Sequence, residues 1–318
     1  MRIFKKIVLG VVVLIAASYG ALVLYAYWPQ PPGVPARSLA TAEDRFITID
    51  GLDIRYRTYG ERGADRPTIV LVHGFGNSLQ SFRNLAPLLA DCCFVAALDL
   101  PGYGLSPKPV NFDYTNGGQT KITVAFARAL GLEHPIYGGH SMGGAIAVRA
   151  AVSDPATAGV ILIDPGIFET GVPKIMESPP FPMPRMSAKM FGDRNWREKF
   201  LKQSFIDPSV ITPAVMDDLA RTSQTDDYWP GTTVMMSHYE AGGEPPLLAQ
   251  VKAPTVSIFG ARDRNHPDPD RKRLQAAIDG SSLVVVEDAG HYPHEEKAAE
   301  VAEAIKAALE SWSAKPIQ

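Results

Sequence analysis

Residues 136–151 read IYGGHSMGGAIAVRAA: an apolar start, four glycines around one serine, then an alanine-rich helix pattern. Glycine weakens strands and helices alike, by roughly 1 kcal/mol in a helix interior. Gly138, Gly139, Gly143 and Gly144 so close to Ser141 imply that backbone geometry outranks local stability here. Gly139-His140-Ser141-Met142-Gly143 has the spacing G-x-S-x-G and lies between an expected strand and an expected helix. A serine on such a sharp turn is strained, and side chains two positions to either side would collide with it, so glycine is expected there. The turn aims the serine Oγ at a helix N-terminus, where free N–H groups and the helix dipole favour developing negative charge. The backbone N–H of Met142 then becomes one oxyanion donor.

Working outward, strand and helix patterns alternate. A hairpin is expected around Asp50-Gly51 in FITIDGLDIRYRTYG. PTIVLVHG, FVAALDLPG, PIYGGHS, GVILIDPG, PTVSIFGARD and SLVVVEDAG read as strands, mostly continuous apolar runs of the kind buried on both faces. Helices are expected in SLQSFRNLAPLLA, near 118–130, in MGGAIAVRAAV, near 268–278 and over 294–312, the last with Val301, Ile305, Ala308, Leu309 and Trp312 on one face. The order implies an α/β fold with a mostly parallel sheet flanked by helices. Ligands bind such sheets beyond the carboxyl ends of the strands.

The stretch from Gly166 to Leu247 breaks this rhythm. It holds seven of the nine methionines, two of the four tryptophans and the proline cluster VPKIMESPPFPMPRM. It reads as an inserted cap of short helices at about 170–245. Met176, Phe181, Met183, Met186, Met190, Phe191 and Trp196 would either seal it against the sheet or line a lipophilic pocket.

The N-terminus reads as a membrane anchor over residues 1–28. Ile7 to Trp28 is uncharged and long enough to cross a bilayer core of about 30 Å as a helix. Arg2, Lys5 and Lys6 would stay cytoplasmic, sending the rest towards the periplasm or cell exterior, and Tyr25, Tyr27 and Trp28 suit the far interface. The alternative is a signal peptide cleaved near Ser18–Gly20 and a secreted chain. Residues 29–44 follow as a proline-rich linker, expected to lift the main domain, residues 45–313, off the membrane.

Of 318 residues, 46% are hydrophobic and 20% charged, with a net charge of −3, which leaves no electrostatic footprint for nucleic acid. Cys92 and Cys93, the only cysteines, open an apolar strand and read as two small hydrophobes rather than a redox or metal pair. No cofactor motif or metal-ligand cluster is visible, and the composition does not address the oligomeric state.

Over residues 45–313 the chain resembles the α/β-hydrolase family, on HGFG, DLPGYGLS, GHSMGG, FGARD and DAGHYPHEE in that order. The resemblance implies a Ser–acid–His triad, with a second oxyanion donor from the N–H of Phe75. Ser141 is the expected nucleophile. His291, in a loop after the last strand, is the expected base. His294 is its near competitor, more suited to bracing that loop. His73 and His140 read as structural hydrogen-bonders, and His134, His238 and His266 carry no motif. The acid would be Asp263, at the family's usual position, or Asp164, where some lipases of the family carry theirs; Asp99 reads as a turn-former. A serine nucleophile sets the chain apart from the family's dehalogenases and epoxide hydrolases, which use aspartate. Ester hydrolysis, with a lipophilic small-molecule substrate, is the first expectation. C–C bond hydrolysis, cofactor-free perhydrolysis and a non-catalytic binding role remain alternatives.

Overall fold

A two-residue turn opens the sheet. Asp50 and Gly51 both take left-handed backbone, with φ of 50° and 80°, as a type I′ hairpin turn demands. They join β1 (Arg45–Ile49) to β2 (Leu52–Tyr59) in antiparallel register. The computed structural model describes residues 1–168, 179–238, 243–265 and 267–314. The apolar runs within them form β3 (Thr68–Val72), β4 (Phe94–Leu98), β5 (Pro135–His140), β6 (Gly159–Ile163), β7 (Thr255–Gly260) and β8 (Ser282–Val286). The sheet order is β1-β2-β4-β3-β5-β6-β7-β8, with β2 antiparallel to β4 and every later pairing parallel.

Successive residues of a strand point to opposite faces, so an unbroken apolar run needs two covers. Val70, Val72, Val160 and Leu162 enter one core layer, Ile69, Leu71, Ile161 and Ile163 the other, all fully buried. The N-terminal helix α1 (Arg2–Ala26) precedes the sheet. The first layer is closed by α2 (Asn116–Ala129) and α3 (Met142–Ser153). Between β6 and β7 come four short helices and, among the described residues, no strand: α4 (Met183–Gly192), α5 (Arg194–Ser204), α6 (Pro213–Ala220) and α7 (Tyr228–Met235). Then follow α8 (Asp268–Ala277), α9 (Pro293–Glu296) and α10 (Ala298–Ser313), the last closing the second layer.

Four expectations are corrected. SLQSFRNLAPLLA is not an α-helix but two 3₁₀ turns, Leu79–Phe82 and Ala86–Leu89. Pro87 has no N–H and its ring blocks the preceding turn, while the Leu79 N–H goes to Asp99 at 2.7 Å. The C-terminal helix is broken at Lys297, because Glu296 turns back to accept the Gly290, Ile206 and Asp207 N–H groups. Cys92 and Cys93 are joined to each other rather than free. A bond between sequence neighbours closes no loop, so the fold still rests on its core. The proline-rich linker is not a free spacer. Val34 exchanges backbone hydrogen bonds with Gln224 and Asp226, at 2.8 and 3.0 Å, and a side chain at Gly33 would collide with Thr225.

A buried ion cluster ties distant pieces together. The Arg55 guanidinium lies 2.9 Å from Asp44, 3.0 Å from Asp99 and 3.9 Å from Asp218 of α6. Asp99 also accepts from the Leu105 N–H at 2.9 Å, so it is the turn-former its position suggests.

Candidate active site

The β5–α3 turn places Ser141 at φ 52°, a left-handed conformation that costs a non-glycine residue on the order of 1 kcal/mol or more. Backbone bonds hold it there. Its N–H donates to Ile163 at 3.1 Å, and its carbonyl accepts from Gly144 and Gly166, both at 2.9 Å. The glycines serve the turn differently from the expectation. A Cβ on Gly139 would strike the Gly143 carbonyl, and one on Gly143 would strike Val72. The clash avoided is between the two arms of the turn and with β3, not with the serine.

The loop after β3 passes directly over this turn: a Cβ on Gly74 would lie 3.2 Å from the Ser141 Cβ. Phe75 follows, and its ring packs on Tyr103 and Phe191 with centroids 6.2 and 5.5 Å apart. Met142 is the first residue of α3, so its N–H has no acceptor within the helix. The Tyr103 hydroxyl reaches the Met142 sulfur at 3.6 Å.

His291 lies in the loop between β8 and α9, and its Nδ1 is 2.9 Å from Asp263 Oδ2. Asp263 is set by the turn after β7, where its second oxygen accepts the Asn265 N–H at 2.9 Å. His140, the residue before Ser141, donates from Nε2 to the His291 carbonyl at 2.7 Å, and the two rings lie 4.8 Å apart. The His291 loop is thus fastened to the Ser141 turn. His294 is buried and bonded to the turn after β3. Its Nε2 meets Ser81 Oγ at 2.8 Å, and burial, then Arg83 and His291, hold its pKa well below the usual imidazole value. His73 is fully buried and bonded to Gly74 and Leu100, a structural role. His134 and His238 are exposed, and His266 and Met176 lie outside the described residues.

Asp164 stands beside Asp263 rather than far from it. Atoms of Asp164, Asp263 and His291 lie within 4.8 Å of one another. Asp164 accepts the Gly260 N–H at 3.0 Å. Burial, then the neighbouring Asp263 charge, push its carboxyl well above the usual range. The pair therefore favours one ionised and one protonated carboxyl. This is the one cluster among the described residues whose donors converge as a metal's would, and its His291 Nδ1 is already committed to Asp263.

Sequence reading missed Arg197. It is 5% exposed, and its guanidinium donates to the Gly76 carbonyl, next to Phe75, and to Leu219 at 3.0 Å. Within RNWREKF it looks like one more solvated helix charge, and only the fold turns it inward. Beside it an aromatic row runs from Phe200 through Trp196 to Phe191, with neighbouring centroids 5.2 Å apart, and so to Phe75.

The family model described as "Alpha/beta hydrolase family" matches residues 69–304. An uncharacterized hydrolase, YugF of Bacillus subtilis, is 32% identical over 268 residues, 84% of this chain and 97% of its own length. Lipase 1 of Psychrobacter immobilis is 28% identical over 302 residues, 85% of each chain. The crystal structure of a membrane phospholipase A, a bacterial virulence factor, superposes with a TM-score of 0.72 at 26% identity, covering 98% of this chain and 100% of that one.

Proposed function

The chain belongs to the α/β-hydrolase family, and from that premise we propose that it is a membrane-anchored serine hydrolase of carboxylic esters with a lipophilic part. The observation that carries the reading is the 2.9 Å contact of His291 Nδ1 with Asp263, fastened through His140 to a left-handed Ser141. Ser141 Oγ attacks the ester carbonyl as His291 Nε2 takes its proton. The oxyanion receives the N–H groups of Phe75 and Met142. The C–O bond then breaks, the alcohol leaves with the proton from His291, and an acyl-serine remains. Water repeats the sequence with His291 as base, releasing the acid and free Ser141. Asp263 holds the imidazole in the tautomer whose Nε2 lone pair takes the serine proton. Arg197 holds the Phe75 loop by its Gly76 carbonyl.

A fluorophosphonate probe tests the class: it should label the native chain at Ser141, and an unlabelled, folded chain would favour a binding role. The lipophilic preference rests on the methionine and aromatic content of α4 to α7 and on the likeness to a lipase and a membrane phospholipase. Each buried CH₂ contributes up to about 0.8 kcal/mol. So kcat/KM should rise roughly fourfold per methylene from acetyl to medium-chain esters before levelling. Phe191→Ala, which breaks the aromatic row beside Phe75, should flatten that rise. A series that is flat in the native chain would turn the assignment to small polar esters or to C–C cleavage.

The anchor reading rests on α1, whose 25 residues are long and apolar enough to cross a membrane and leave its central window unburied. The mature chain is expected to resist carbonate and salt and to require detergent for extraction. An N-terminus beginning near Ala21 would show a cleaved signal instead.

A further inference from the structure

The last two turns of α1 lie against α4, and this contact fixes a depth. Tyr19 Oη donates to the Phe181 carbonyl at 2.8 Å, and the Phe181 ring stacks on Tyr27 at 5.5 Å. Phe181 is therefore held alongside a stretch of about 12 Å of helix. Arg185 donates to the Ala26 carbonyl at 3.3 Å, and Lys189 to that of Tyr25 at 2.8 Å, with its ammonium 4.0 Å above the Tyr25 ring. If Ile7 to Trp28 crosses the bilayer, Tyr25, Tyr27 and Trp28 mark the headgroup level. Phe181 then sits at or below that level. It is 56% exposed and Met183 39% exposed, with Tyr27 stacked on the Phe181 ring. α4, MPRMSAKMFG, carries two cations and no acid.

We propose that this edge of α4 is a lipid-docking surface, with Phe181 and Met183 entering the acyl boundary while Arg185 and Lys189 tie the helix to the end of α1. The inference rests on the anchor reading above and gives it a second contact. Exposed apolar side chains held at the headgroup level are what an interfacial surface presents to lipid. The alternation of a helix explains the rest: Phe191, on the far end of α4, turns inward to the aromatic row that ends at Phe75. One short helix thus touches both the bilayer and the neighbourhood of Ser141, and a lipophilic ester is delivered from the membrane side.

The test reconstitutes the full-length chain in phosphatidylcholine–phosphatidylglycerol vesicles. A bimane is attached at Phe181→Cys, at Met183→Cys, or at Glu310→Cys, which is exposed on α10 near Pro67 and Asp91, where β3 and β4 begin. Lipid brominated on its acyl chains should quench the first two several-fold more than the third. A chain that does not float with the vesicles overturns anchor and docking together, whereas one that floats with equal quenching at all three sites overturns docking alone. Crosslinking of two copies through Phe181→Cys would assign the surface to a second chain and overturn it too. In parallel, Phe181→Asp with Met183→Asp should lower turnover of a vesicle-embedded ester roughly tenfold or more, and that of a water-soluble short ester far less. Equal loss on both substrates overturns the proposal.

Discussion

Ser141→Ala should leave the chain folded and lower ester turnover by about six orders of magnitude, the loss found when a triad serine is removed elsewhere. The fold should survive because backbone groups hold the turn. The serine N–H and carbonyl make its bonds to Ile163, Gly144 and Gly166, and its side chain caps no helix N–H. Alanine also bears the left-handed backbone at a cost close to that of serine. What disappears is the atom that forms the acyl-enzyme, leaving only the oxyanion donors and substrate binding to act on water attack. Turnover of a medium-chain ester, with thermal melting as the control for folding, checks the result. Retention of most of the activity in a folded variant would remove Ser141 from the nucleophile role.

Asp263→Asn should cost on the order of 10⁴ in kcat, since an amide facing Nδ1 no longer selects the productive imidazole tautomer. Asp164→Asn should cost far less, although both carboxyls lie within reach of His291. Asp164 is the member of the pair that burial and the Asp263 charge drive towards its protonated form. An asparagine imitates that form: its oxygen can accept the Gly260 N–H and its NH₂ can donate to Asp263. Side-by-side kcat values of the two variants decide the matter. The reverse ranking would place the working acid after β6.

Much of this was legible in the sequence because the signals were local. Strand burial showed as unbroken apolar runs, the hairpin as Asp50-Gly51, and the serine turn as glycines at fixed spacing. His291 and Asp263 could be singled out by their positions after strands, and the fold brings them to 2.9 Å. What stayed hidden depends on partners far along the chain. Arg197 looks solvated until α5 folds over the β3 loop. The linker prolines announce stiffness but not that Val34 will pair beside Thr225. The helical period of residues 78–90 is real, yet Pro87 and the Asp99 carboxylate divide it into two tight turns. The neighbourhood of Asp164 and Asp263 follows from adjacent parallel strands, β6 and β7, and so required the sheet order.

The Arg55 cluster divides its charges unequally between the sheet and α6. Arg55 and Arg57 already face Asp44 and Asp99 at 2.7 to 3.0 Å, two cations against two anions. Asp218 of α6 joins from 3.9 Å as a surplus negative charge, and its burial holds its carboxyl above the usual range. Without Asp218 the hairpin would keep a complete set of counter-charges, so no buried cation would be stranded. The short pairs therefore lie within the frame of the sheet, and the long one joins that frame to the helices between β6 and β7, so the hairpin does not depend on α6 for its charge balance.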